Sequence, residues 1–392
     1  MISSETVIGL PGYQITGTEE KAGKVHVGAR YVGAVVCPEC QSTRLVLKDR
    51  RMRRPRHESW GLRHTVLELE SRKWRCRDCG RRFWERFPGI LPRRRATEPF
   101  RRSVFVSHWD GASRSRVAER AGIGSATVER WFHDHLRREF SERGGAPCPR
   151  VLGIDEHFFS RRAGYATTFC DLRGHKIYDV VLGRSEAALE QYLAKLEGKE
   201  RVRLVCMDLS STYRAIVQKH FPNARIVADR FHVIRLINLH FLMCWREIDP
   251  VGSKHRGLLS LMRRHRHNLK PEQVVKLESY FERFPALREI YRFKQRLCYL
   301  LLKKHRTRQQ CVPLIQRFVK AVEALKQCGL GALVTLGETL GSWSAEIATM
   351  WRFTRNNGIT EGFHTKMEVL QRQAYGFRNF QNYRLRVRVM CC

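Results

Sequence analysis

Apolar and polar positions change period several times along the chain, and each change marks an element. Two strand-like runs, Tyr31–Val36 and Ser71–Arg75, each lead into a pair of cysteines. Three short helical patterns follow: Glu98–Trp109, Ser113–Ala121, and a third that Ser125 caps and that carries Val128, Trp131 and Phe132 on one face. Gly122 breaks the chain between the last two. Residues 144–149, Gly-Gly-Ala-Pro-Cys-Pro, read as a linker. Beyond it, 151–158, 164–171 and 175–182 read as strands, with a turn at Arg173-Gly174. A helix over 185–196, a strand over 202–207, a helix over 211–220, a strand over 224–228 and a further helix complete the series. From about Arg235 to Leu340 apolar positions recur at helical spacing, as in Val274–Phe281 and Leu314–Val322. A last helical pattern opens at Glu361, after Asn356-Asn-Gly-Ile-Thr360.

Three antiparallel strands followed by alternating helix and strand is the order of a ribonuclease-H-like fold. In that order Asp155 lies on the first strand, Asp208 ends the fourth, and these two strands are neighbours in the sheet. Both carboxylates stand in apolar runs, Val151–Phe159 and Val202–Asp208. Such a carboxylate is costly unless something pairs with it, and a divalent cation is the usual partner. Glu361 is a third acidic group, 153 residues beyond Asp208, far more chain than a compact fold of this type needs. The intervening helical segment therefore reads as an all-helical insertion. Glu156 should point to the opposite face of the strand from Asp155 and is a poor ligand.

Composition says what such a site would act on. Lys and Arg number 73 against 38 Asp and Glu, a net charge of +35 spread along the whole chain. That imbalance implies a polyanion, and nucleic acid rather than a membrane. No run of about 18 apolar residues occurs and the start lacks a signal-peptide pattern, so a soluble intracellular protein is expected. The 13 cysteines are scattered, apart from two CxxC pairs and Cys391-Cys392, which is no disulfide framework. Single ones such as Cys170, Cys206 and Cys298 read as core residues. Cys37, Cys40, Cys76 and Cys79, with 35 residues between the pairs, can complete a tetrahedral Zn²⁺ shell of the zinc-ribbon kind. The long gap implies an inserted hairpin or loop, and it holds His57 and His64 as substitute ligands.

The same gap carries Arg44, Lys48, Arg50, Arg51, Arg53, Arg54 and Arg56, and Arg93, Arg94 and Arg95 follow the ribbon. Arginine at this density favours phosphate contacts, on an ordered element or on a loop that orders on DNA. Helix, glycine turn and helix over 113–132 read as a helix-turn-helix. Its exposed start, Ser125, Ala126, Thr127 and Arg130, is then placed to enter a major groove.

Five motifs follow in order: Gly153-Ile-Asp-Glu156, Met207-Asp-Leu-Ser-Ser-Thr-Tyr-Arg214, Ala228-Asp-Arg-Phe-His-Val233, Asn357-Gly-Ile-Thr-Glu-Gly362 and Gly376-Phe-Arg-Asn-Phe-Gln-Asn-Tyr383. Behind the ribbon and the helix-turn-helix, this set resembles bacterial insertion-sequence transposases of the Asp-Asp-Glu type, in the ISL-three group. The resemblance covers nearly the whole chain. It implies a catalytic triad of Asp155, Asp208 and Glu361 that holds two Mg²⁺ (or Mn²⁺) ions about 4 Å apart, with Asp155 bridging both. Water would free a 3′-hydroxyl at each element end, and that hydroxyl would attack target DNA. The implied partners are the element's terminal inverted repeats, double-stranded target DNA and further copies of the chain, in a dimer or larger assembly. The implied location is the bacterial cytoplasm, on the nucleoid.

The expected architecture is multidomain α/β. It comprises a zinc ribbon (1–92), a helix-turn-helix (93–144), a ribonuclease-H-like core in two parts (150–234 and 346–392) and the helical insertion (235–345). Asp229 has two readings, an accessory to the metal site and a helix N-cap. His232 is either an approach to the scissile phosphate or a structural residue. Arg352, Arg355 and Lys366 are placed to hold the DNA backbone near Glu361. Two rival functions share these features: a DNA-binding relic or repressor, and a nuclease without strand transfer.

Overall fold

The structure is a computed structural model that describes residues 8–142, 147–353 and 357–391. Arg355 and the first residues of the expected linker lie outside them. The chain divides into two compact units, Met1–Glu142 and Arg143–Cys392.

The first unit begins with strands β1 (Tyr13–Lys21), β2 (Lys24–Tyr31), β3 (Leu45–Arg53), β4 (Arg56–Trp60), β5 (Arg63–Cys76) and β6 (Arg82–Trp84). All six form one sheet around β5, which pairs with β2 and β4 along its first half and with β3 and β6 along its second. Val25, Val27 and Ala29 alternate inward from β2 and meet Leu67 and Leu69 of β5, Leu10, Tyr13 and Phe87 in a small core. The β1–β2 hairpin escaped the sequence reading, because the outward positions of β1 are almost all polar. Val32–Val36 also departs from expectation. No strand forms there, since β2 ends at Tyr31 and the Tyr31 ring occupies the space that a side chain at Gly33 would fill. The basic gap is an ordered pair of strands, β3 and β4, and not a loop.

Three helices complete this unit: α1 (Glu98–Trp109), α2 (Arg114–Ala121) and α3 (Ser125–Glu142). Thr97 and Ser113 cap the first two through their hydroxyls. Gly122 ends α2 in the left-handed conformation, φ +58°, which is the glycine role at a helix C-terminus. Ser125 is the first helical residue of α3 and not its cap, while the Gly124 carbonyl accepts the first bond, from Val128. Phe100, Val104, Val117, Ala118, Val128 and Trp131 close a core between the three helices. Arg101 is fully buried in it, paired with Glu98 at 2.7 Å and Asp134 at 3.0 Å, which ties α1 to α3.

The second unit is a five-stranded sheet of β7 (Val151–Ser160), β8 (Gly164–Asp171), β9 (Lys176–Leu182), β10 (Leu204–Met207) and β11 (Arg225–Ala228), in the order β11-β10-β7-β8-β9. β7 to β9 form an antiparallel meander, and β10 and β11 add in parallel, as a ribonuclease-H-like core requires. Helices α4 (Glu186–Ala194), α5 (Ser211–His220) and α6 (Arg230–Ile248) cover one face, where Leu152 and Ile154 of β7 point. The other face carries α13 (Gly358–Gln373) and α14 (Phe380–Met390), packed through Phe363, Met367, Tyr383 and Val387. Between α6 and α13 lie α7 (Arg256–Arg263), α8 (Pro271–Arg283), α9 (Pro285–Leu302), α10 (Arg308–Lys326), α11 (Gly331–Ser342) and α12 (Ser344–Arg352). This segment is helical throughout. Leu301, Phe318, Leu336 and Trp351 share one continuous core with the sheet, so the helices are built onto the fold and not tethered beside it.

Candidate active site and zinc centre

The two CxxC turns are near copies of each other. In each, the first cysteine's N–H donates to the carbonyl five residues on: Cys37 to Ser42 and Cys76 to Arg81, both at 2.9 Å. In each, the residue after the second cysteine turns left-handed, Gln41 at φ +59° and Gly80 at φ +73°. The four Sγ atoms all lie within 4.8 Å of one another, with Cys37 to Cys79 at 3.5 Å and Cys40 to Cys76 at 3.6 Å. A tetrahedron with bonds of about 2.3 Å has edges of about 3.8 Å, so the donor set fits Zn²⁺. Backbone N–H groups aim at the thiols as well. Those of Cys79 and Asp78 help bring Cys76 down to about 6, and that of Cys40 lowers Cys37. His57 is buried against the Thr97 hydroxyl at 2.9 Å, and His64 packs at Gly122, so neither substitutes for a cysteine.

The expected DNA-contacting arginines divide by their partners. Arg56 donates to the carbonyls of Ala121 (2.8 Å) and Gly122 (3.4 Å) and closes the end of α2. Arg53 donates to the Arg94 carbonyl at 3.0 Å, and Arg51 lies 4.1 Å from the centre of the Trp84 ring. Arg50 and Arg54 pair with Glu70 and Glu68 on the exposed side of β5. Arg93, Arg94 and Arg95 are exposed, as are Ser125 and Arg130, and Thr127 is half-buried beside Arg130 at 3.3 Å.

In the second unit, strand register brings three carboxylates into one row. Cys206 pairs with Gly153 and Met207 with Ala228, in parallel. Carried forward, the first register sets Asp208 opposite Asp155, and the second sets Asp208 opposite Asp229. Asp208 and Asp229 thus stand just beyond the carboxyl ends of β10 and β11, where open α/β sheets present their sites. Asp208 Oδ1 and Asp229 Oδ1 are buried without a hydrogen-bond partner. Burial is the first cause that raises all three pKa values, and it lifts Asp155 to about 7. The charges of Asp208 and Asp229 add to the shift at Asp155, while the Glu156 N–H and His232 oppose it. Asp229 stands at the N-cap position of α6, yet its side chain makes no capping bond, and His232 Nε2 lies 3.7 Å from its Oδ2. Orphaned buried oxygens in an all-carboxylate set suit a hard divalent cation. Glu156 turns aside, as expected, to pair with Arg184 at 3.2 Å.

Helix α13 packs against the sheet beside Asp155. Asn357, 1 % exposed, donates from Nδ2 to the Ile154 carbonyl at 3.1 Å, directly beside Asp155. Only glycine at 153 permits that approach, because a Cβ there would meet Asn357 Oδ1 at 2.9 Å. Two turns on, His364 Nδ1 lies 4.0 Å from Asp155 Oδ2. Glu361 falls between them in the first turn of the helix, four residues after Asn357 and three before His364. Its side chain is exposed. Among the described residues only the four cysteines bring three or more ligand atoms within 4.8 Å of one another; Glu361 and the three aspartates do not. Arg352 and Lys366 are exposed, each with its cation over a neighbouring ring, Phe353 and Phe363.

A chain of hydrogen bonds lies behind Asp155, and the sequence reading missed it. Tyr383 Oη meets His157 Nε2 at 2.9 Å, His157 Nδ1 meets Thr168 Oγ1 at 3.0 Å, and Thr168 Oγ1 meets His364 Nε2 at 3.1 Å. Burial pushes His157 down to about 3 and His364 to about 4, so each imidazole is neutral with one N–H. With Asp155 ionised, one order of donors and acceptors turns the His364 Nδ1–H toward its carboxylate, 4.0 Å away. Tyr383 donates to His157, His157 to Thr168 and Thr168 to His364, whose Nδ1–H faces Asp155. The available signal was the spacing of His364 three residues after Glu361.

Comparison with known proteins identifies the family. The family model of Asp-Asp-Glu transposases of the ISL3 group, described as "Transposase", matches residues 152–387. The chain belongs to this family. A second model, "zinc-finger of transposase IS204/IS1001/IS1096/IS1165", matches residues 33–79 and so covers both CxxC turns. The "Transposase for insertion sequence element IS1001" of Bordetella parapertussis is 24 % identical over 364 residues, 90 % of this chain and 88 % of that protein. Membership in this family carries DNA binding and a structural zinc with it. No helix among the described residues is long and apolar enough to cross a membrane.

Proposed function

We propose that this transposase recognises the terminal inverted repeats of its own insertion sequence, cleaves the 3′ ends and joins them to target DNA. The observation that carries the reading is the row of Asp155 and Asp208 on adjacent strands, with α13, the helix of Glu361, pinned beside it through Asn357. Asp155, Asp208 and Glu361 would hold Mg²⁺ or Mn²⁺, with Asp229 as an accessory. Bound there, such ions activate an attacking oxygen and offset charge on a leaving one. Water oxygen forms a bond to phosphorus as the bond to the 3′ oxygen breaks and leaves a 3′-hydroxyl. That hydroxyl attacks a target phosphodiester in the same way. The exposed Arg352 and Lys366 hold the strand, and His232 keeps a polar nitrogen beside Asp229.

The ribbon arginines and the start of α3 fix the ends, Arg93–Arg95 through phosphates and Ser125, Thr127 and Arg130 through the major groove. Pairing two ends calls for a dimer or larger assembly, acting on the bacterial nucleoid. The test is cleavage and strand transfer on DNA that carries the element's ends, with Mg²⁺, for wild type and Asp208→Ala. Metal-dependent 3′-end release and joining, lost at least about 10³-fold in the variant, is expected. Tight end binding without cutting by either protein would leave a DNA-binding relic. Cutting without joining would leave a nuclease.

A further inference from the structure

The hairpin of α9 and α10 holds a cationic groove that the chemistry above does not use. The groove, about 460 Å³, is floored by apolar side chains such as Leu297 and Ala321 and rimmed by Arg296, Lys303, Arg317 and Lys320. No carboxylate lines it, and among the described residues none of the four cations is in an ion pair. Tyr299 stands on the rim, 65 % exposed, with Lys303 Nζ 5.6 Å from its ring centre. Four like charges facing one groove repel one another unless a polyanion lies between them.

The position of the groove is set by the residue next to Asp229. Arg230, buried, donates from Nε to the Leu301 carbonyl at 2.8 Å and from Nη2 to those of Lys303 (3.3 Å) and Met350 (3.0 Å). The Arg306 N–H donates to the Trp351 carbonyl at 3.0 Å. The end of α9 and its basic loop, Lys303, Lys304, Arg306 and Arg308, are therefore anchored at the start of α6, where the carboxylate row ends.

We propose that this groove binds the phosphate backbone of duplex DNA beside the phosphodiester that the carboxylates address. The identity of that phosphodiester rests on the transposase reading; the binding itself does not. Arg296 to Lys303 spans seven residues of helix, about 10 Å, the reach of two or three phosphates along one strand. Contacts of this kind position DNA and carry no sequence preference. The groove thus extends the grip of the catalytic unit without adding to end recognition.

The test uses the full chain carrying Asp208→Asn, so that binding is read without cleavage. Its affinity for a duplex of arbitrary sequence is measured from roughly 50 to 200 mM salt. A second protein adds Arg296→Gln, Lys303→Gln, Arg317→Gln and Lys320→Gln. A third instead adds Arg256→Gln, Arg263→Gln, Arg264→Gln and Lys276→Gln, an equal loss of charge on α7 and α8. The groove variant should show a slope of log K against log salt shallower by about 2 to 3, with the control near the parent. An unchanged slope in the groove variant, or an equal change in the control, overturns the proposal. A groove variant that shifts the slope while the wild-type chain fails to cut its ends would overturn the transposase chemistry and leave the groove standing.

Discussion

The zinc centre and the carboxylate row that we propose binds Mg²⁺ are assembled by the chain in opposite ways. Each pair of thiols comes from one tight turn whose own backbone supplies the N–H groups around the sulfurs. One strand pairing, β3 with β5, then brings the two turns together. The buried carboxylates come from β7 and the ends of β10 and β11, and the proposed third partner, Glu361 of α13, lies 153 residues after Asp208. Their environment is also unfavourable without a cation, since two carboxylate oxygens are orphaned and Asp155 is pushed up to about 7. The thiol site is a structural joint, whereas the carboxylate row concentrates unfavourable buried charge, as the proposed Mg²⁺ site requires.

Removing the cations should therefore have opposite consequences, and the largest effect belongs to zinc. Structural zinc contributes on the order of 10 kcal/mol in isolated fingers, and the ribbon here has only a small core of its own. Chelation, or Cys76→Ser, should melt the ribbon and leave the second unit folded. Heteronuclear NMR or limited proteolysis would resolve the two units, and a ribbon that keeps its dispersion without metal would break the contrast.

Withholding Mg²⁺ should unfold nothing. The folded pKa of Asp155, about 7, lies above its ordinary value of 3.8. Its contribution to stability is thus fully present below about pH 4 and is lost as pH rises through 7. At pH 8 the charged group costs at most about 4 kcal/mol. Asp155→Asn, with zinc kept and Mg²⁺ absent, should raise Tm by several degrees at pH 8 and hardly at all at pH 4. Activity should vanish in the same protein. A lower Tm at pH 8 would show that the row is a structural element and not a poised binding site.

A smaller effect should come from the hydrogen-bond chain behind Asp155. His364→Ala removes the group facing Asp155 and loosens α13 against β8, and comparable outer contacts are worth about 10- to 100-fold. The loss should appear as a higher Mn²⁺ requirement for cleavage, with Tyr383→Phe, at the far end of the chain, costing less. Equal loss at saturating and limiting Mn²⁺ would argue for a purely structural role.

The same contrast explains what was legible in the sequence. The CxxC spacing announces the zinc site because the geometry is local. The strands of the second unit were legible for the same reason: period and turn residues lie within each segment, and the observed β7–β11 start and end within about two residues of the expected bounds. What the sequence could not show depends on distant pairing. Gly153 looks like any strand glycine until Asn357, 204 residues later, needs its space. Likewise, Arg56 reads as one more phosphate-binding arginine until α2 ends beside it. The β1–β2 hairpin was silent because β1 is polar on nearly every position and is held by its neighbour.

The smallest effect tests whether the thiol site is as local as it looks. Both cysteine turns require a left-handed residue after the second cysteine, yet only one has glycine there, Gly80, while the other has Gln41. A residue with a Cβ pays about 1 kcal/mol for that conformation. Gln41→Gly should thus stabilise the zinc-bound ribbon by somewhat less than about 1 kcal/mol, since glycine also loosens the unfolded chain. Gly80→Ala should destabilise it by about the same amount. Neither change should alter cleavage at saturating metal. Denaturant titration of the zinc-loaded protein, followed through the ribbon's Trp74 and Trp84, reads both. If the two turns really are independent copies, the double variant should return close to the parent. A large departure from additivity would mean that the turns are coupled through β5, and that the zinc centre, too, is a long-range construction.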